Sequence, residues 1–447
     1  MTDRSSRASL VVPEAAILEA CGETPLPELG VIEQVWDTDP IADVRAAAAA
    51  AFGDLPTDEI PDGGEVALGV GSRGIANLPA IVSGVVSAVK GAGFEPFVFP
   101  AMGSHGGATA EGQREMLAEL GVTEETIGCE IRSSMEVVEV GRTPERDVPV
   151  YTDAHAAAAD AIVPINRIKP HTDFDGAVES GLSKMVVIGM GKQRGAKTAH
   201  DWAVDWSLRN MLPEITEQLL ETLPIVGGVA VVEDQRDETT IVEAIPPSGF
   251  LDRERELLET AYDIMPTIPF EAVDVVVFDR QGKDVSGQGM DPTVIGRRPF
   301  AIQESEPDLP DIKRIYTRSL TAATHGNAMG IGSADFIHAD LLAEIDITDS
   351  FINAITASTT RGVRIPPAVE TDRAGLVASL STIGIVDPDD VRVLRATDTM
   401  RLERLYASPA LIEEARDRED LRVIEDPSPI EFEAGQFAAP TPHDAAH

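Results

Sequence analysis

The chain has 447 residues, of which 76 are acidic and 36 basic, giving a formal net charge of −40. So large an acid excess argues against nucleic acid and anionic membrane as partners, since both need basic patches. Two cysteines, Cys21 and Cys129, cannot build a disulfide framework or a Cys-ligated cluster. The opening MTDRSSRASLVVPEAA has no continuous apolar core of signal-peptide length, and the uncharged run 74–89 is broken by Asn77 and Pro79. A soluble, cytoplasmic protein is the expectation. The acids are spread along the whole chain rather than gathered in a tail. Self-repulsion on this scale needs screening, so a halophilic protein adapted to molar salt is the further expectation.

In chain order, the alanine run Ala46–Ala51 reads as helix. VALGV, from Val66, reads as a strand that ends in GSRG. LPAIVSGVVSAVKGAG then carries apolar residues at helical spacing and stops at glycine. FEPFVFPAM is the next strand, followed by the loop GSHGGAT and the helix AEGQREMLAEL, which Thr109 can cap. DAIVPIN is another buried strand. The apolar segment MVVIGM and the segment DWAVDWSLRNML read as helices beyond it. At Met265–Phe270 the proline-marked MPTIPF reads as a turn, and VDVVVFD opens a second run with strands near Ile315 and Ala328, helices near Leu341 and Ala374, and the strand VRVLRA. The alternation predicts α/β architecture: two α/β domains with mainly parallel sheets, spanning 1–267 and 268–432, then a flexible tail over 433–447. Function in such sheets collects where strands end and helices begin, and an inter-domain active-site cleft is expected.

The chemistry-bearing residues fall at those strand ends. Gly69-Val-Gly71-Ser72-Arg73-Gly74 fits G-x-G-x-x-G. It reads as a tight turn, as a dinucleotide loop, or as a loop whose N–H groups and Arg73 hold a phosphate or carboxylate. His105 lies among small residues in Gly103-Ser-His-Gly-Gly107, and His171 follows the DAIVPIN strand; either is a solvated loop residue or part of a site where the loops converge. The chain holds only 7 lysines, and Lys169, Lys184, Lys192 and Lys197 crowd into 169–197. Lys184 heads an apolar segment, so it either snorkels or is a desolvated amine able to act as a nucleophile. An amine can deprotonate and form a covalent bond where guanidinium cannot. His200 stands at a helix start or serves as a metal ligand, and as a ligand it needs donors that no nearby histidine or cysteine pair supplies.

Together these residues resemble the lactate racemase family, which uses a nickel-pincer nucleotide. The family's arginine loop, G-x-H loop, His-x-x-Phe-x-Gly segment, lysine and later histidine correspond to Arg73, Gly103-Ser-His105, His171-Thr-Asp-Phe174-Asp-Gly176, Lys184 and His200. The resemblance implies a racemase or epimerase of a 2-hydroxy acid acting by reversible hydride transfer. Its cofactor is a pyridinium mononucleotide with two sulfur-containing groups, one joined to the lysine, here Lys184. Nickel is held by the cofactor and by the histidine matching His200. His105 and His171 are implied as the paired proton-transfer groups, and Gly71, Ser72 and Arg73 as cofactor contacts, with Arg73 on substrate as well. In the second domain the comparable loop, GKDVSGQGMDPTVIGRR, offers Lys283 and Arg297 to the substrate. Val70 stands where the family has an acid, which takes away one contact to cofactor or substrate, while Asp173 and Asp175, just after His171, read as salt adaptation; the expected substrate is a 2-hydroxy acid other than simple lactate. The alternatives are a nicotinamide-dependent oxidoreductase using the GVGSRG loop and a non-catalytic nickel-nucleotide binding protein. The sequence assigns no oligomeric state.

Salt should govern stability. The Debye length grows from about 3 Å at 1 M to about 30 Å at 0.01 M, so the melting temperature is expected to fall on dilution from molar to tens of millimolar salt. A salt-independent melting curve removes the halophilic reading.

Overall fold

The computed structural model describes residues 8–72, 74–298, 307–357 and 359–442. The chain divides into two compact units: Thr38–Met265, and Met1–Asp37 together with Pro266–His447.

In the Thr38–Met265 unit, helix α1 (Val44–Gly53) is the alanine run, capped by Asp43, whose side chain accepts the Ala46 N–H at 2.9 Å. Strand β1 (Glu65–Val70), helix α2 (Leu78–Gly91), strand β2 (Glu95–Pro100) and helix α3 (Ala110–Glu119) follow as the alternating pattern predicts. Thr109 caps α3, accepting the Gly112 N–H at 3.0 Å. After β3 (Glu130–Ile131) comes a hairpin of β4 (Val137–Arg142) and β5 (Pro149–Asp153), then β6 (Ala161–Arg167). Helices α4 (Lys192–Trp206) and α5 (Leu208–Thr222), strands β7 (Gly228–Glu233) and β8 (Thr239–Ile245), and helix α6 (Phe250–Asp263) complete the unit.

The sheet order is β8-β7-β6-β1-β2-β3, parallel throughout except for β8. Side chains alternate along β1. Val66, Leu68 and Val70 enter the core shared with α1 and α2, while Ala67 enters the core shared with Met185–Met190, α4 and α5. The sheet is therefore covered on both faces, which is why its strands read as unbroken apolar runs. The chain adds β2 on one side of β1 and β6 on the other. Their carboxyl ends thus flank a topological switch point, where open α/β sheets bind ligands.

The other unit carries a nine-stranded sheet. Six strands are parallel: Val11–Val12, Ala368–Val369, Phe336–His338, Asp311–Thr317, Ala272–Phe278 and Val393–Ala396. Arg404–Ala407, Leu29–Gln34 and Leu421–Ser428 then continue it antiparallel. Residues 8–37 thus belong here and not to an N-terminal domain of residues 1–267. Leu29–Gln34 pairs with strands almost 400 residues downstream, Ile32 facing Leu405 and Val423. Local patterning carries no record of such a partner. The strand expected near Ala328 lies instead at Phe336–His338. The expected flexible tail is also structured in part: Phe432–Glu433 pairs with Gln436–Phe437, and the Phe437 ring lies 4.5 Å from the Arg395 guanidinium. No helix among the described residues is long and apolar enough to cross a membrane.

Helices α1 and α2 cross closely because position 84 is glycine. A Cβ there would stand 2.3 Å from the Arg45 carbonyl oxygen. Gly84→Ala is therefore expected to destabilise the unit by about 1–3 kcal/mol, measured as a lower denaturant midpoint.

Candidate active site

Gly71 follows β1 without a gap and is buried. A Cβ at this position would meet Met185 Cε at 3.0 Å and Asn166 Oδ1 at 3.1 Å, so glycine lets the β1 loop lie close to the Lys184 segment without displacing either. Ser72 next places its hydroxyl in a hydrogen bond with His105 Nδ1. Arg73 lies outside the described residues. Helix α2 opens only at Leu78, after Asn77 in the left-handed region (φ 60°), and not at the third glycine of the loop. The Ala76 N–H donates to Glu233 Oε1 at 2.6 Å. A buried carboxylate thus occupies a donor that a dinucleotide phosphate would need at this helix N-terminus, which weighs against the nicotinamide reading.

The His105 loop leaves β2 through Gly103, which has φ 58° and donates its N–H to the Gly189 carbonyl at 3.0 Å. Gln113 holds this loop from below, its Nε2 donating to the carbonyls of Gly103 (3.0 Å) and His105 (3.3 Å). Beneath Gln113 sits Lys192, fully buried. Its ammonium donates to Gln113 Oε1 at 3.3 Å and to the Pro100 carbonyl, and pairs with buried Asp153 at 3.1 Å. Burial lowers the Lys192 pKa and Asp153 opposes that shift. One member of the lysine cluster is thus a structural cation. Lys197 is another case: it is exposed on α4 and paired with Asp201 at 2.6 Å.

His171, at the end of the β6 connection, is buried, with its ring centroid 4.5 Å from that of Phe174. Its backbone N–H donates to Glu179 Oε2 at 2.6 Å, and its Nδ1 accepts the Asp173 N–H at 3.0 Å. Its Nε2 is hydrogen-bonded to Lys184 Nζ. These contacts fix the chemistry of the pair. A neutral imidazole whose Nδ1 accepts carries its proton on Nε2. In that tautomer Nε2–H points at Lys184, and the amine can accept it only in its deprotonated form. Lys184 ends the short helix Leu182–Lys184 and leads into a π-helical segment, Met185–Gly189, of the kind often found at functional sites.

His200 lies inside α4, not before a helix as its sequence context suggests, because α4 starts at Lys192 and breaks from α5 at Ser207, with φ 64°. Its surface is exposed, yet enough protein surrounds it to lower its pKa by desolvation. Lys184, whenever protonated, adds to that shift, and Asp173 and Asp201 oppose it.

The structure thus brings Gly71, Ser72, His105, His171, Lys184 and His200 to the carboxyl end of one sheet. Lys283 and Arg297 belong to the other unit. There Lys283 donates to Asn353 Oδ1 at 2.7 Å, and Arg297 ties Asp335 (2.7 Å) to the carbonyls of Ser333 (2.9 Å) and Ile312 (2.7 Å). Sequence reasoning missed Glu179, Glu254 and Tyr262. Glu179 takes the His171 and Gly176 N–H groups and the Tyr262 hydroxyl, and Glu254 takes the N–H and hydroxyl of Ser183. Burial raises both carboxyls to about 7 against those hydrogen bonds. Glu179 stood in view as the lone acid between Val178 and Leu182; nothing local marks Glu254.

No family model and no curated protein matches the sequence. Among solved structures, the lactate racemase apoprotein from Thermoanaerobacterium thermosaccharolyticum is similar over 83% of this chain and 89% of its own, with a TM-score of 0.44 and 14% identity.

Nitrogen-15 NMR of histidine-labelled protein should show His171 as the neutral Nε2–H tautomer. A spectrum with the proton on Nδ1 contradicts the unprotonated amine assigned to Lys184.

Proposed function

We propose that the protein is a racemase or epimerase of a 2-hydroxy acid that carries a nickel-pincer nucleotide on Lys184. The observation that supports this most directly is the His171–Lys184 hydrogen bond, which presents a deprotonated amine beside an imidazole. Such an amine is the form that can be acylated, as attachment of the nucleotide requires. The metal side fits as well. Among the described residues no group of three or more His, Cys, Asp or Glu could hold a metal. The lone imidazole of His200 therefore suits a metal whose other donors come from an organic ligand. When bound, the nucleotide supplies reversible hydride acceptance.

The protein's own part is to bind and orient the hydroxy acid and to move its hydroxyl proton. Ser72 can donate to or accept from His105 Nδ1, so His105 can adopt either tautomer and exchange a proton at Nε2. His171 is more constrained. The Asp173 N–H at Nδ1 favours the Nε2–H form, which donates to a substrate oxygen; for Nε2 to take up a proton, that N–H must leave Nδ1. The two imidazoles are therefore not equivalent at rest, which suits a pair serving opposite enantiomers. Asp173 and Asp175 bring negative charge beside His171, which disfavours a small, compact anion and favours a larger hydroxy acid with polar groups.

Single enantiomers of a panel of 2-hydroxy acids, followed by chiral chromatography, test this reading with protein whose intact mass shows an adduct. Interconversion is expected, and His105→Ala and His171→Ala should each lower it ~10²–10⁴-fold. Lys184→Arg should lose both adduct and activity. Activity that survives Lys184→Arg and depends on added nicotinamide nucleotide rejects the proposal.

A further inference from the structure

Helix α6 carries two side chains that hold residues next to the His171–Lys184 pair. Glu254 is fully buried, and its carboxylate accepts the Ser183 N–H (3.1 and 3.0 Å to its two oxygens) and the Ser183 hydroxyl (2.5 Å). Gly181 makes room for it, since a Cβ there would lie 2.0 Å from Glu254 Oε1. Eight residues along the same helix face, the Tyr262 hydroxyl donates to Glu179 at 3.1 Å, and Glu179 in turn accepts the His171 N–H at 2.6 Å. A buried carboxyl with no cationic partner among the described residues is a poor choice for packing alone, because an apolar side chain fills such space at lower desolvation cost. What a carboxylate adds is direction. It fixes donors at the first turn of the helix whose last residue is Lys184, where backbone N–H groups lack intrahelical partners.

We infer that Glu254 is a positioning residue for Lys184: it clamps the Gly181–Ser183 turn so that, with Tyr262 and Glu179 holding the His171 loop, one face of α6 aligns the amine with its imidazole. Glu254 acts through Ser183 and touches neither ligand nor reacting atoms. The inference rests on Lys184 being a reactive amine, but not on the identity of the group it carries or of the substrate.

Trace acetic anhydride labelling of the full-length protein, without cofactor or substrate, tests it. Mass mapping gives the labelling ratio of Lys184 to exposed Lys197 as a function of pH. In the wild type the ratio should exceed one. In Glu254→Gln, which keeps the side chain's volume, it is expected to fall about tenfold, equivalent to about one unit in apparent pKa. Ser183→Ala, which deletes only the hydroxyl contact, should give a smaller fall in the same direction and carries the test if Glu254→Gln does not fold. Lys197 labelling should stay unchanged in both. A wild-type ratio at or below one removes the reactive amine, and the inference with it. A high wild-type ratio that the folded variants retain across the pH range overturns the positioning role alone and leaves the reactive amine standing.

Discussion

The contact on which the site depends is the backbone N–H of Asp173 donating to Nδ1 of His171. It favours the tautomer with the proton on Nε2, the one in which His171 donates in its bond to Lys184. Everything around the pair serves to hold that arrangement. Phe174 packs against the ring, Glu179 pins the His171 backbone, and Glu254 pins the turn before Lys184. A protonated Lys184 would turn this bond around and leave the Asp173 N–H facing a ring nitrogen that also carries hydrogen.

That local chemistry is possible because the sheet reverses its winding between β1 and β6. The reversal leaves the loops after β1, β2 and β6 at one end of the sheet, and close backbone approach packs them together. Gly71 lets the β1 loop touch Met185, and Gly103 lets the β2 loop bond to Gly189 at the end of the π-helical segment. Two loops more than thirty residues apart are thereby tied to the segment that carries Lys184. The buried Lys192–Asp153 pair supports the same region through Gln113. An ion pair taken from water costs several kcal/mol per charge before its attraction and hydrogen bonds repay it, so its value here is a fixed loop position more than stability.

The second unit uses buried charge differently. Arg318 bridges Asp279 (2.6 Å) and Asp372 (2.7 Å), and Arg395 joins Asp279 at 2.9 Å. Phe437 covers both guanidinium groups and donates its N–H to Asp372 at 3.0 Å. This network also holds the described part of the tail rich in alanine and proline: Phe437 packs on the cations and the Ala439 carbonyl accepts from Arg395 at 3.3 Å.

The sequence by itself determined the alternation of strands and helices, because apolar periodicity and capping residues such as Thr109 act over a few neighbours. It also determined the residue types at the strand ends, so Ser72, His105, His171, Lys184 and His200 were all legible as candidates, and the scarcity of lysine singled out Lys184. Tertiary structure alone decided the rest. It assigned strand Leu29–Gln34 to the second unit, since pairing partners hundreds of residues away leave no local trace. It separated the lysine cluster into an amine hydrogen-bonded to His171, a buried strut and a surface pair, since burial depends on packing and not on composition. And it brought Glu254 and Tyr262 of α6 to residues next to the His171–Lys184 pair, because contacts between residues 71 and 83 positions apart follow from how helices and loops pack on the sheet.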